Sequence, residues 1–120
     1  MKSHPIFKRE GFDIHCDIPV TYMEAVLGAE ITVPTIDGDV KYNISEGTQT
    51  GTVFRLKGKG VKKINRTERG NQFVTIYVEV PKNLTKKQKD LLREFEASLT
   101  EKNYAKRQSF FDKLKKRFEK

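Results

Sequence analysis

A chain of 120 residues with a formal net charge of +8 can form one ordinary domain, or a small domain with an appended segment. One cysteine, Cys16, and two histidines exclude an internal disulfide and leave too few ligands for a cysteine- or histidine-based metal site. No apolar run reaches the length of a membrane span, and residues 1–5 lack the apolar core of a signal peptide. We therefore expect a cytoplasmic protein without a metal cofactor.

The positive charge is concentrated in two parts of the sequence. Residues 84–120 carry 12 basic and 6 acidic side chains, whereas residues 1–83 carry 12 and 10. Within the first part, a second basic cluster comprises Arg55, Lys57, Lys59, Lys62, Lys63, Arg66 and Arg69. Such clusters are typical of solvated surfaces, but also of modules that bind nucleic acid or an anionic membrane surface. Both of these modules remain alternative functions.

The first predicted elements are a strand and a short helix. Phe12, Ile14, Cys16 and Ile18 alternate with polar residues, which predicts a half-buried strand that ends at Pro19. Residues 1–10 precede it as a linker or an inter-domain strand. Thr21 and Glu24 have the spacing of a capping box, which predicts a helix over the next few residues.

A hairpin is predicted next. Ala29, Ile31 and Val33 alternate on the outgoing strand, and Val40, Tyr42 and Ile44 alternate on the return strand. The Asp37-Gly38 pair between them is typical of a type I′ turn, in which both central residues have positive φ.

Two further strands follow. Four glycines between residues 47 and 60 bracket a short apolar run at residues 53–56, which indicates a strand between two turns. No Ser or Thr follows Lys59, so this glycine-rich stretch does not have the pattern of a P-loop. Residues 73–80 form the clearest strand, and because both of its faces are largely apolar we expect it at the centre of a sheet.

The apolar period becomes helical after residue 83. Thr85 and Gln88 form a second capping box, and Ser109 is predicted to cap a last helix. Short isolated helices are marginal in water, so their apolar stripe needs the β domain, a second subunit or a membrane surface. We expect a homodimer formed through this stripe. Its candidate residues are Leu91, Leu92, Phe95, Leu99, Phe110, Phe111, Leu114 and Phe118.

No catalytic constellation is visible in the sequence. The acidic residues of the β region stand singly at strand or turn positions, and neither histidine has a nucleophile in its local context. The residues therefore predict a mainly β protein with a binding function and no enzymatic activity. Residues 11–83 form a small two-sheet antiparallel β-sandwich with one short helix, and residues 84–120 form a helical tail.

Many ordered blocks of this sequence resemble the second C-terminal β domain of DnaJ-type co-chaperones. They are residues 4–11 (HPIFKREG), 18–21 (IPVT), 24–28 (EAVLG), 33–38 (VPTIDG), 47–51 (GTQTG), 54–61 (FRLKGKGV) and 78–81 (VEVP). Residues 109–112 (SFFD) resemble the end of bacterial DnaJ chains. The blocks keep the spacing of the family and extend over nearly the whole sequence.

The resemblance implies a function and a set of partners. It implies binding of unfolded client polypeptides, homodimerisation, and cooperation with a DnaK-type chaperone in the full-length protein, with no specific nucleic acid and no membrane. Matching the two C-terminal β domains of the family places Cys16, Ile18, Ile31 and Val33 in a shallow apolar groove for an extended client peptide. The alternative is that these four residues belong to the sandwich core.

Departures from the family refine these expectations. The His-Pro-Asp triplet of the J domain, the Gly/Phe-rich linker and the zinc-binding repeats are absent from this sequence. We therefore expect no stimulation of a DnaK-type ATPase by this chain alone, and no zinc. Asn71 stands where the family usually has Asp, which leaves the role of that carboxylate open.

Overall fold

The computed structural model of the protein describes residues 6–63 and 68–118, the last of these as backbone only. The chain divides into two compact units, Met1–Pro81 and Lys82–Lys120. The first unit is a β domain and the second is a helical tail.

The β domain contains two sheets and one short helix. In chain order its elements are β1 (Phe7–Glu10), β2 (Asp13–Thr21), α1 (Tyr22–Leu27), β3 (Ala29–Thr35), β4 (Gly38–Ile44), β5 (Thr52–Leu56) and β6 (Gln72–Glu79). One sheet has four strands in the order β1-β2-β6-β5, and the other pairs β3 with β4. The predicted mainly β, two-sheet fold is confirmed, and so is the central position of β6.

The larger sheet differs from the prediction in one pairing. Strands β2 and β6 are parallel, with Cys16 opposite Val74 and Ile18 opposite Ile76, whereas the sequence analysis expected only antiparallel pairs. A parallel pair requires a long crossover connection, and here that connection contains α1, β3, β4 and β5. Local periodicity could not reveal the direction of this pair, because apolar and polar residues alternate in the same way in parallel and antiparallel strands.

The hydrophobic core contains side chains from both sheets and from α1. Its buried members are Cys16, Val20, Ala25, Ile31, Val33, Ile44, Val74 and Ile76. At its margin, the rings of Tyr42 on β4 and Phe54 on β5 stack with centroids 3.9 Å apart, so an aromatic contact joins the two sheets. The alternating apolar positions of the strands therefore supply the core, as the sequence predicts.

The hairpin between β3 and β4 is confirmed, but its turn type is not. Thr35 pairs with Gly38, so Ile36 and Asp37 are the central residues. Neither central residue has positive φ, because the one non-glycine residue with positive φ in the described part of the chain is Asn83, outside this turn. Positive φ occurs in this turn only at Gly38, where it is 113°. The Thr35 hydroxyl donates to the Gly38 carbonyl and accepts from the Asp37 amide. This side-chain bonding holds the turn without a left-handed Asp37.

The tail consists of α2 (Lys86–Ser98), a 3₁₀ turn (Glu101–Asn103) and α3 (Ala105–Phe118). The second capping box is confirmed: the Gln88 amide donates to Thr85 Oγ1 at 3.2 Å, and the Thr85 amide donates to Gln88 Oε1 at 2.8 Å. The predicted start at Ser109 is wrong. The Gln108 amide donates to the Tyr104 carbonyl at 3.0 Å, so α3 begins a turn earlier and Ser109 lies inside it.

Candidate functional site

The four residues predicted for a client groove lie mainly in the core. Cys16 is 2% exposed, Ile31 is 6% exposed and Val33 is fully buried, whereas Ile18 is half-buried. Burial raises the pKa of the Cys16 thiol, although the hydrogen bond from Gln72 acts in the opposite direction. In this conformation, burial favours the alternative interpretation of these positions as sandwich core, and their contact with a client stays a prediction.

Gln72 is a buried polar residue that the sequence analysis did not single out. Its Nε2 donates to the Pro34 carbonyl of β3 at 2.8 Å and to Cys16 Sγ at 3.4 Å, so it joins the two sheets. Its Oε1 has no hydrogen-bond partner among the described residues. Gln72, Val74 and Ile76 occupy alternate positions of β6 and therefore share one face. A polar side chain on an otherwise apolar face needs a hydrogen-bond partner, and this is the signal in the sequence that could have identified Gln72.

A groove of about 320 Å³ opens at the ends of β2 and β6. Because these strands are parallel, their carboxyl ends lie side by side, with Thr21 opposite Glu79. The capping box at Thr21 then turns the chain into α1, which carries Met23 at the groove with 47% of its surface exposed. The lining residues are Pro19, Val20, Thr21, Tyr22, Met23, Glu79 and Pro81. This apolar groove depends on the parallel pairing, so the sequence analysis missed it.

Asn71 supports the turn that follows β5. The side-chain Oδ1 of Asn71 accepts a hydrogen bond from the Gly58 backbone amide at 3.0 Å. The backbone amide of Asn71 donates to Asp13 Oδ1 at 2.8 Å. The side-chain amide oxygen of Asn71 thus provides an acceptor of the kind that a carboxylate would also provide. The departure from Asp at this position therefore leaves a side-chain acceptor in place.

The tail exposes most of its predicted apolar stripe. Leu91, Phe95, Phe110, Phe111 and Leu114 are exposed, with Phe110 at 61%. Leu92 and Leu99 are half-buried, and the side chain of Phe118 lies outside the described residues. Within α3, Phe110 and Phe111 meet edge to face at 5.3 Å, and the Arg107 guanidinium lies 4.9 Å from the Phe111 ring centroid. Their role in a dimer stays a prediction.

The part of the chain that the structure describes contains neither a metal-binding cluster nor a membrane-spanning helix. No group of three or more His, Cys, Asp or Glu side chains there is arranged to hold a metal ion. None of the helices in that part combines the length and the apolar character needed to cross a membrane.

Comparison with known families gives matches over both units. The family model described as the DnaJ C terminal domain matches residues 1–81. A second model, described as the chaperone protein DnaJ C-terminal region, matches residues 87–120. The chain belongs to the DnaJ C-terminal domain family. The resemblance found in the sequence is therefore confirmed, for the β domain and the tail alike.

Three curated relatives of this DnaJ family member are each named chaperone protein DnaJ. Those of Ruminiclostridium cellulolyticum and Clostridioides difficile are each 51% identical, over 118 and 120 residues, which are 98% and 100% of this chain. That of Clostridium acetobutylicum is 58% identical over 92 residues, or 77% of this chain. The matched regions are 31%, 31% and 25% of these relatives, so the chain spans less than a third of their length.

Proposed function

We propose that this protein is a chaperone module that binds non-native polypeptide segments and forms a homodimer. The family match and the name of the relatives, chaperone protein DnaJ, support a chaperone function. The module has no enzymatic activity of its own and acts in the cytoplasm. It cooperates with a DnaK-type chaperone only through a J domain, whose His-Pro-Asp triplet this sequence lacks.

The observation that carries client binding is the apolar groove at the ends of β2 and β6. Its volume of about 320 Å³ is near the lower end for ligand pockets, enough for two or three side chains of an extended segment. The rings of Pro19, Tyr22 and Pro81 and the flexible thioether of Met23 offer an adaptable apolar surface. Such a small surface gives weak affinity, which suits a chaperone that must release its client.

The four positions predicted from the sequence are less accessible to a client than the groove. A peptide could reach Cys16, Ile31 and Val33 only if the sheets separated, and separation would expose the core. Ile18 is half-buried, so a peptide could contact it without any separation of the sheets. We therefore propose Met23 and its neighbours in the groove as the first contacts of a client.

A substitution in the groove tests this proposal. Met23→Asp introduces a charge at an exposed position, so the domain should fold while its suppression of aggregation of an unfolded model protein falls about fivefold. Leu27→Asp is the matched control, since Leu27 lies on the same helix and is 68% exposed but does not line the groove. Equal loss in both variants, or no loss in Met23→Asp, would contradict the assignment of the groove.

A second measurement separates the groove from the core positions. Ile31→Asp should unfold the domain, because a carboxylate would replace a buried core side chain. A folded Ile31→Asp variant with weakened client binding would instead support the groove predicted from the sequence. DnaK ATPase rates are measured in parallel, and acceleration by the 120-residue chain alone would refute the proposed need for a J domain.

A further inference from the structure

Charge is strongly segregated within the β domain. Residues 6–54 contain three basic and eight acidic side chains, whereas residues 55–69 contain seven basic and one acidic. The second set follows β5 into a hairpin, whose described part is residues 55–63 and 68–69, called here the basic hairpin. A net negative stretch of the sequence is thus followed by a short, strongly positive one, so positive charge is concentrated at the basic hairpin.

The basic hairpin is anchored by backbone hydrogen bonds. The Gly60 amide donates to the Gly70 carbonyl at 2.9 Å, and the Lys63 amide donates to the Glu68 carbonyl at 3.0 Å. The Val61 amide donates to the Phe12 carbonyl at 2.7 Å, which attaches the hairpin to the turn between β1 and β2. Its base is therefore held against the larger sheet.

Close backbone packing further fixes this base. A Cβ atom at Gly60 or Gly70 would overlap the Phe12 carbonyl, so both positions need glycine for space. Arg69 Nε donates to the Gly60 carbonyl at 3.1 Å, and Arg69 Nη1 lies 2.6 Å from Asp37 Oδ2. The arginine therefore bridges the hairpin to the β3–β4 turn. Because the base of the hairpin is already ordered, a ligand that binds there does not have to order it.

Two of the six cations in the basic hairpin form ion pairs with described residues. Arg69 forms an ion pair with Asp37, and Lys63 Nζ lies 3.7 Å from Glu68 Oε2. No ion pair to another described residue engages the remaining cations, which are Arg55, Lys57, Lys59 and Lys62. The hydrogen bond from Arg69 lowers the pKa of Asp37, and the charges of Arg69 and Lys59 lower it further.

We propose that the basic hairpin binds a short acidic polypeptide segment, a partner separate from the apolar client of the groove. Residues 57–63 extend at most about 25 Å, so this surface can contact up to about seven extended residues of a ligand. The four cations that form no ion pair with another described residue can each face a carboxylate, and lysine ammonium groups tolerate varied carboxylate geometry.

The surrounding charge favours a short peptide over nucleic acid. Duplex DNA carries a charge about every 1.7 Å along its axis, so it would continue past the hairpin. A duplex long enough to contact residues 6–54 would be repelled by their net negative charge, which comes from eight acidic and three basic residues. A segment with a few clustered carboxylates ends before that region.

The experiment uses the 120-residue chain and a fluorescein-labelled peptide with four consecutive glutamates. Anisotropy should report binding at about 50 mM salt that weakens strongly at about 200 mM, with no binding of the matched glutamine peptide. Lys57→Gln combined with Lys59→Gln should weaken binding about tenfold. The control, Lys86→Gln with Lys87→Gln in α2, removes the same charge from the tail and should change affinity less than twofold.

Three results would overturn the proposal. Equal weakening by the tail variant would mean diffuse attraction to net charge, and absence of binding at low salt would mean that the hairpin is no site. Tighter binding of a single-stranded oligonucleotide with four phosphates would assign the surface to nucleic acid. The groove is tested separately, because Met23→Asp should leave peptide binding unchanged whatever its effect on clients.

Discussion

Gly70 shows at the scale of one residue how the fold depends on a missing side chain. Its backbone lies against the Phe12 carbonyl, and a methyl group would overlap that carbonyl. We expect Gly70→Ala to lower the free energy of unfolding by about 3 kcal/mol, because backbone on both sides would have to shift. Urea denaturation followed by far-ultraviolet circular dichroism measures this change.

Gly47→Ala is the matched control for this prediction. Gly47 has φ of 77°, but no atom of a described residue lies within 4 Å of a Cβ placed there. Its substitution should cost only the backbone strain of a left-handed alanine, about 1–2 kcal/mol. A Gly70→Ala variant as stable as Gly47→Ala would mean that the contact with Phe12 is loose.

Gln72 marks the limit of prediction at the same scale. Alternation predicts that its side chain shares a face with Val74 and Ile76, and the structure buries all three. No sequence pattern predicts that its amide donates to the Pro34 carbonyl, because that atom belongs to the other sheet. A buried polar side chain is acceptable only where a partner is present, and tertiary packing decides where partners lie.

The helix α2 shows at the scale of an element how local chemistry determines a boundary. Thr85 and Gln88 satisfy each other's backbone amides, which would otherwise be unpaired at the helix start. We expect Thr85→Ala to cost about 1 kcal/mol of helix stability and to reduce hydrogen-exchange protection in the first two turns of α2. Thr85→Ser keeps the hydroxyl acceptor and should retain most of the protection, so equal loss in both variants would exclude capping as the cause.

The start of α3 illustrates where a local signal misleads. Ser109 is a good N-cap residue by type, yet the helix already includes it because the chain is helical from Ala105. A 3₁₀ turn comes directly before α3, and its Tyr104 amide donates to the Glu101 carbonyl at 3.1 Å. The chain is therefore already turning when it reaches Ala105. A residue type indicates a cap only if the preceding residues are not already in a turn.

At the scale of the whole molecule, the exposed apolar stripe of the tail carries the prediction of a homodimer. Phe95 and Phe110 are 39% and 61% exposed, and burial of one Phe contributes about 2 kcal/mol. We expect sedimentation equilibrium to give a dimer mass for the 120-residue chain. Phe95→Ala combined with Phe110→Ala should shift the chain to a folded monomer, because the interface loses its largest apolar contacts.

A matched substitution outside the tail controls for general loss of apolar surface. Leu27→Ala removes an exposed side chain from the β domain and should leave the dimer intact. A wild-type chain that remains monomeric at high micromolar concentration would refute the dimer. The membrane-surface alternative for the basic, aromatic tail would then be tested by co-sedimentation with anionic vesicles.

Local patterns in the amino-acid sequence predict most of the elements and indicate the family. Apolar patterns predict β2 to β6, although β2 continues past its predicted end at Pro19 to Thr21. Capping boxes at Thr21 and Thr85 predict two helix starts, and ordered blocks at fixed spacing indicate the DnaJ resemblance. Strand alternation and capping bonds can be predicted in this way because they act between neighbours along the chain.

The direction of the β2–β6 pair, the burial of Cys16 and Val33, and the need for glycine at Gly60 and Gly70 follow from tertiary contacts. Such contacts also create the groove beside Met23, where the ends of two strands distant in sequence come together. The physical reason is that each of these features depends on which segments meet in space. Period and composition describe a segment's own faces, and two segments far apart in the chain show no local sign of which of those faces will pack together.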